Sequence, residues 1–330
     1  MKTFAKRVFV AAIVVGSIVL GAYVFQWFLL ILAGVLLAIL FRTVAEWLSD
    51  WVSVSFRWRI AMVLSATGFL VIGGSLEFGS KLISEANDLM AKLSDALTSM
   101  QQHVQRYQNL QHLFSQSSLN LEQPTKSFLS GGVWTIAALA LVFCVGAYLS
   151  IEPDLYIDGI LRFFGQRRQA QVRNILTGAG TALKWWLLGQ LISMAVVGII
   201  TMVGLLIVHA PMAIPLALLA AVLTFVPYVG AIASAIPALM IAFTVSPHMA
   251  LYVAIVYLIA HAAEGYIVTP IVQHRFLYLP PALILANQFL MAFLVGIVGV
   301  AMATPFLVVI LVFTERLYFH ELWLDKQDAA

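Results

Sequence analysis

Three residues able to exchange protons stand close together in an apolar stretch, in the run Tyr257-Leu-Ile-Ala-His261-Ala-Ala-Glu264. Their spacing is i, i+4, i+7, which puts all three on one face of a helix. A carboxylate in or near hydrocarbon is costly in its charged form and is expected to face a cavity or a partner. A desolvated carboxylate also holds a proton readily, which is what coupling to a proton or cation gradient requires. The competing expectation is a glutamate bonded to His261 or to a neighbouring helix, fixing the packing and nothing more. His261 and Glu264 could in principle share a metal. No His-Glu-x-x-His string supports that, and the single Cys144 lies in an apolar run of its own. No metal and no cofactor are expected. Strings of the Gly-x-Ser-x-Gly and Gly-x-x-x-x-Gly-Lys types are absent, so an enzyme is not expected. Any pumping would draw on a gradient rather than on ATP hydrolysed by this chain.

A second group of residues could act through the backbone. In Phe225-Val-Pro227-Tyr228-Val-Gly230-Ala-Ile-Ala-Ser234-Ala-Ile-Pro237, prolines interrupt the helical ladder and free carbonyls that could bind a cation or a polar solute. A similar arrangement recurs around Gly296, Gly299 and Pro305. Paired interrupted segments in corresponding places point to a transport site between repeats, although glycines there could equally serve close helix packing. Gln190, Asn287 and Gln288 are further polar residues within apolar runs, each open to a role as interhelical glue or as a ligand contact.

The elements that must hold these residues are membrane helices. Hydrophobic residues make up 62% of the 330 and charged ones 10%, with a mean hydropathy of +0.98. A soluble domain carries about a quarter charged residues, so most of this surface must face lipid. Apolar runs of fifteen to twenty residues without alternation exclude a β-barrel pattern. The fold class expected is an all-α polytopic bundle with eight to ten apolar segments. These are 8–25, 27–41, 60–78, 132–150, 187–208, 212–226, 230–245, 249–268, 282–299 and 302–319. The segments 212–226 and 230–245 are short for a bilayer about 30 Å thick, so one or two hairpins could be re-entrant. Lys2, Lys6 and Arg7 before an apolar run resemble a signal peptide, but the chain passes through Gln26-Trp27 into another apolar run, so a retained helix is expected.

With the first two segments as a hairpin, Lys and Arg divide 14 against 4 between the two sides. That is a strong positive-inside bias, and it predicts both termini in the cytoplasm. The organisation expected is 1–78 as amino-terminal spans, 79–131 outside and 132–150 as a span. A basic cytoplasmic segment at 151–186, a transport core at 187–319 and a tail at 320–330 complete it. Outside, Leu82, Ala86, Leu89, Leu93, Leu97, Met100, Val104, Tyr107 and Leu110 form one apolar stripe on a long amphipathic helix. That stripe could rest on the protein's own membrane domain or on lipid, or join protomers. Inside, the arginines of 151–186 suit a helix at an anionic membrane surface, or a topology determinant with no specific ligand. Nothing in the charge pattern calls for nucleic acid.

The order of features resembles the autoinducer-2 exporter (AI-2E, PerM-like) family of permeases. The elements that carry the resemblance are Gly189-Gln190 and the Phe-x-Pro-Tyr-x-Gly break at Phe225, Pro227, Tyr228 and Gly230 with its downstream Ile236-Pro237. Glu264 follows in a late helix, then Pro270, the basic His274-Arg275, Pro280, and the closing Gly296, Gly299 and Pro305. The likeness spans nearly the whole chain and is specific across about 185–315. It implies export of a small polar metabolite, with autoinducer-2 as the substrate behind the family's name. Other members are described as sodium(lithium)/proton antiporters. The resemblance further implies a bacterial inner-membrane location and a homo-oligomer, in the family a pentamer. The segment holding Asn287 and Gln288 is more polar than the family's usual aliphatic run. A third expectation, of another class, is a membrane scaffold acting through its outside helix.

Overall fold

A computed structural model describes residues 2–77, 84–85, 87–96, 98, 132–268, 270 and 279–328. The described residues contain helices and turns and no strand. The helices are α1 (Lys2–Trp47), α2 (Phe56–Glu77), α3 (Gly132–Ile151), α4 (Pro153–Leu161), α5 (Gln166–Ile207), α6 (Ala213–Leu223), α7 (Val229–Val245), α8 (Pro247–Ala263), α9 (Pro281–Val295) and α10 (Ile297–Asp328). A π-helical segment, Glu264–Val268, continues α8. Among the described residues, Val24–Asp50, Gln166–Ile207, Pro247–Val268 and Ile297–Leu317 are each long and apolar enough to cross a membrane. Three shorter apolar helices, α6, α7 and α9, accompany them. The protein is an all-α, multi-pass membrane protein.

Two segment boundaries read from the sequence are corrected. The expected hairpin of 8–25 and 27–41 is one helix of 46 residues, about 69 Å long at 1.5 Å per residue. Gln26 is a good helix former and there is no proline in α1, so nothing there turns the chain. Lys2, Lys6 and Arg7 therefore stand at the opposite end of a long helix from Arg42. Moving those three across the membrane reduces the charge bias to eleven against seven, and the amino-terminal side no longer follows from it. Likewise 151–186 and 187–208 are not separate elements. A single helix of 42 residues, α5, passes from the basic stretch into the apolar one.

The chain forms two compact units. The first comprises Met1–Ala61, Ala138–Leu187 and Phe276–Ala330. Its core gathers Leu29, Leu32 and Leu36 of α1, Leu183 of α5, Ile284 of α9 and Leu307 and Val308 of α10. Phe25 meets Phe306 edge-on at 5.2 Å between ring centres. Gly34 and Gly146 let α1 and α3 touch: a Cβ on Gly34 would collide with Val145, and one on Gly146 would lie 3.0 Å from Leu37.

The second unit comprises Met62–Ala137 and Leu188–Arg275. Here Val197 and Leu205 of α5 pack with Leu216 and Ala220 of α6, Ile241 of α7 and Val253 of α8. Leu89, from the stripe predicted for the outside helix, is buried against this core. Leu82, Ala86, Leu97 and the part of that stripe from residue 99 onward lie outside the described residues.

Between α6 and α7 the chain reverses within five residues. Tyr228 carries the turn at φ 62°, ψ −59°, a conformation that L-residues rarely adopt. A Cβ on Gly230 would overlap the Leu223 carbonyl oxygen outright, so only glycine lets α7 begin against the last turn of α6. Replacing Gly230 with alanine should cost about 1–3 kcal/mol by overpacking and lower the Tm of the detergent-purified protein. Gly180, with nothing within 4 Å of its Cβ position, should accept alanine without loss. Equal melting of G230A and wild type would contradict this account of the turn.

Candidate functional site

The polar residues singled out in the sequence fall into two sets, one in each unit. In the second unit, three close approaches run along α5. Gln190 Nε2 donates to the Thr224 carbonyl at 2.5 Å, a Cβ on Gly198 would meet Ala221 at 2.9 Å, and one on Gly204 would collide with Val256. The helices α6, α7 and α8 pack consecutively and are joined by short turns, so α8 runs in the same sense as α6. From Tyr257, whose hydroxyl donates to the Leu216 carbonyl at 3.3 Å, α8 climbs toward the Thr224 end of α6. His261 and Glu264 lie in that direction.

The predicted shared face is present. The Tyr257 and His261 rings stand 6.3 Å apart between centres, and His261 Nδ1 is 3.0 Å from Glu264 Oε2. Both side chains of the pair are 19% exposed, in contact with solvent or lipid only at their margins. An ionised carboxylate only accepts hydrogen bonds, so with Glu264 in that form the contact would need the proton on Nδ1. His261 Nε2 is buried and has no hydrogen-bond partner among the described residues.

Local sequence explains why this pair sits where it does. Ser246 is extended and caps α8, accepting from the Met249 amide at 3.1 Å. Pro247 at the first helical position then starts the helix. At the other end the Glu264 amide reaches both the Ala260 and His261 carbonyls, and the backbone widens into the π segment. Such single-turn widenings occur mostly at functional sites because they re-aim a side chain within a continuous helix.

Phe225, Pro227, Tyr228 and Gly230 lie at the α6–α7 turn as expected, while Pro237 lies inside α7. Two buried residues of this unit were not singled out from sequence. Thr224 supplies the carbonyl that Gln190 binds and turns its own hydroxyl to Ala220 at 2.7 Å. Thr201 is fully buried, and its hydroxyl has no hydrogen-bond partner among the described residues. A hydroxyl within an apolar run is the available signal, and it is weak because most such hydroxyls bond their own helix.

The first unit holds Asn287, Gln288, Gly296, Gly299 and Pro305. Asn287 Nδ2 donates to the Ala303 carbonyl at 2.7 Å, and Gln288 is 1% exposed. Gly296 makes the turn between α9 and α10 at φ 76°. A Cβ on Gly299 would collide with the Met291 carbonyl, and Pro305 lies within α10. The two breaks are alike in detail. Each has a positive-φ residue (Tyr228, Gly296) and a crowded carbonyl five residues before it (Leu223, Met291). Each then has a glycine two or three residues after it and a proline nine residues after it.

Gln190 and Asn287 are thereby joined in one role, each donating to a main-chain carbonyl of another helix. An interhelical bond of this kind is worth about 0.6 kcal/mol and up to ~1.7 kcal/mol in a membrane. Gln190→Leu and Asn287→Leu should each destabilise by about 1 kcal/mol, read as a lower midpoint of SDS-induced unfolding. An unchanged midpoint in both would leave these amides free for another task.

Comparison with known proteins agrees with this architecture. Residues 8–319 match the profile of the AI-2E family transporter, AI-2E_transport. A protein of Thermotoga maritima named "Putative transport protein" is 24% identical over 283 residues, 84% of this chain and 87% of that one. "Putative transport protein YrrI" of Bacillus subtilis is 32% identical over 140 residues, 42% of this chain and 38% of that protein. "Putative transport protein YueF" of the same organism is 32% identical over 125 residues, 38% of this chain and 34% of that protein. The chain thus aligns with little more than a third of each Bacillus protein.

Proposed function

The chain belongs to the AI-2E transporter family, and from that premise of a permease-type transporter we propose a gradient-driven carrier of a small polar solute, with Glu264 and His261 as its proton-handling pair. The observation that carries this reading is the 3.0 Å contact between His261 Nδ1 and Glu264 Oε2, on a π segment that ends an otherwise apolar helix. A histidine–carboxylate pair can gain or lose a proton without leaving an isolated charge in a low-dielectric core. A solute arriving at the same face would change which protonation state is cheaper, and that difference is the coupling.

Autoinducer-2 is the substrate suggested by the family's description. The same pair also favours a second reading, sodium(lithium)/proton antiport, because a deprotonated Glu264 offers a cation the carboxylate that the proton vacates. Neither reading involves an enzymatic step. The location proposed is a bacterial inner membrane. Arg316 donates to Asn174 at 2.5 and 2.6 Å, and Arg173 pairs with Asp154 at 4.0 Å. These contacts bring the start of α5, α4 and the part of α10 around Arg316 together, and by the positive-inside rule we take that end as cytoplasmic. A homo-oligomer is proposed on the family resemblance alone.

Glu264→Gln keeps the shape of the side chain and removes its charge. In proteoliposomes it should abolish proton-linked flux, a loss of at least about a hundredfold for an essential proton carrier, while the variant folds and inserts in normal yield. Wild-type flux in that variant would sink the coupling role. Testing autoinducer-2, sodium and lithium side by side with a proton readout separates the two substrate readings.

A further inference from the structure

One surface of the first unit is organised around a sharp bend in the chain. At Glu152 the chain bends by 89° between α3 and α4. A helix of 20 residues such as α3 spans about 30 Å, the thickness of a bilayer core. With α3 crossing the bilayer, a right-angle bend at its end would lay α4 along the membrane surface. Neighbouring groups hold that angle. Arg42 donates to the Ser150 carbonyl at 3.1 Å, closing the end of α3, and Arg57 pairs with Glu152 at 3.4 Å. The Arg42 and Arg59 guanidinium groups lie 4.8 and 5.5 Å from the centre of the Phe56 ring. Around them Trp47, Trp51 and Trp58 are largely exposed, as interfacial tryptophans are.

The charges on this surface do not balance locally. Asp154 and Asp158 of α4 are both taken by Arg173, and Glu152 by Arg57. Arg162, Arg167 and Arg168 are exposed, and no carboxylate pairs with them among the described residues. Aromatic residues alternate with these arginines in Arg162-Phe163-Phe164-Gly165-Gln166-Arg167-Arg168. Phe163 is 90% exposed, and Leu155 and Ile160 are exposed on α4 before it. Water is a poor partner for such aromatic and aliphatic side chains, and a soluble acidic protein would leave them unsatisfied. Anionic lipid satisfies both, with phosphates for the guanidinium groups and the upper acyl chains for Phe163.

We propose that α4 and the turn 162–168 form a docking surface for anionic phospholipid headgroups of the protein's own bilayer. Arg162, Arg167 and Arg168 hold the headgroups, and Phe163 inserts among the acyl chains. The proposal is independent of the substrate and of Glu264.

The test places a fluorescent probe at F163C in a Cys144→Ser background, with the full chain in phosphatidylcholine vesicles containing about a quarter phosphatidylglycerol. Bromine-labelled acyl chains, carried in turn by either lipid at the same fraction, report which lipid lies beside the probe. Both should quench it, with phosphatidylglycerol enriched about fivefold or more, the preference expected of one or more basic residues at an anionic surface. The variant R162Q/R167Q/R168Q should keep the quenching and lose the enrichment. Raising salt from about 0.05 M to about 1 M should remove the enrichment from the arginine-bearing protein without any substitution at those sites. Absence of quenching by either lipid would put the segment in water or under another protein chain and overturn the proposal. Equal quenching by the two lipids, or enrichment that survives loss of the three arginines, would overturn it as well.

Discussion

A main-chain carbonyl that loses its helical partner inside a bilayer must find another donor or be covered by protein. That constraint organises both units. At the α6–α7 turn the Thr224 carbonyl is bonded by Gln190, and the Leu223 carbonyl accepts from the Val226 amide at 3.0 Å with Gly230 packed over it, where any side chain would collide. At the α9–α10 turn Gly299 roofs the Met291 carbonyl, and Asn287 reaches the Ala303 carbonyl beside Pro305. Tyr257 spends its hydroxyl on the Leu216 carbonyl. Gln190, Asn287 and Tyr257, which looked from sequence like ligand contacts or proton carriers, are thus committed to main-chain carbonyls of neighbouring segments.

Against that background the His261–Glu264 pair differs in kind. Its two side chains meet each other at 3.0 Å, and the buried Nε2 of His261 has no hydrogen-bond partner among the described residues. Structural amides in this fold have one state each. The pair has more than one protonation state, and the π segment places it at the end of α8, where the regular hydrogen-bond ladder has already loosened. A group that can change its charge, set on backbone that can change its pitch, is where a gradient can act on the protein.

Much of this was legible in the sequence, and the parts that were not share a cause. The break at Phe225–Gly230 could be read because proline and glycine mark turns whatever surrounds them, and the face shared by Tyr257, His261 and Glu264 follows from helical spacing. The continuity of α1 through Gln26 and of α5 through residue 187 was hidden. Hydropathy reports where polarity changes, whereas a helix ends only where its backbone is turned. Pro237 and Pro305 were read as parts of the breaks, yet both sit inside helices, and the turns fall on Tyr228 and Gly296. The π widening at Glu264–Val268 has no compositional signature.

The right-angle bend after α3, the exposed tryptophans around it and the ion pairs of Arg57, Arg173 and Lys184 gather at one end of the first unit, the end proposed to lie at a membrane surface. The second unit carries His261 and Glu264, the pair proposed to handle protons. The central claim is that solute movement and proton movement are one event at Glu264 and His261. Proteoliposomes holding wild-type protein and a lumenal pH dye test it directly when autoinducer-2, sodium or lithium is added outside. The account predicts a lumenal pH change that starts with one of these additions and reverses when its gradient is reversed. Solute crossing at an undiminished rate with no pH change, at every imposed pH gradient, would contradict it.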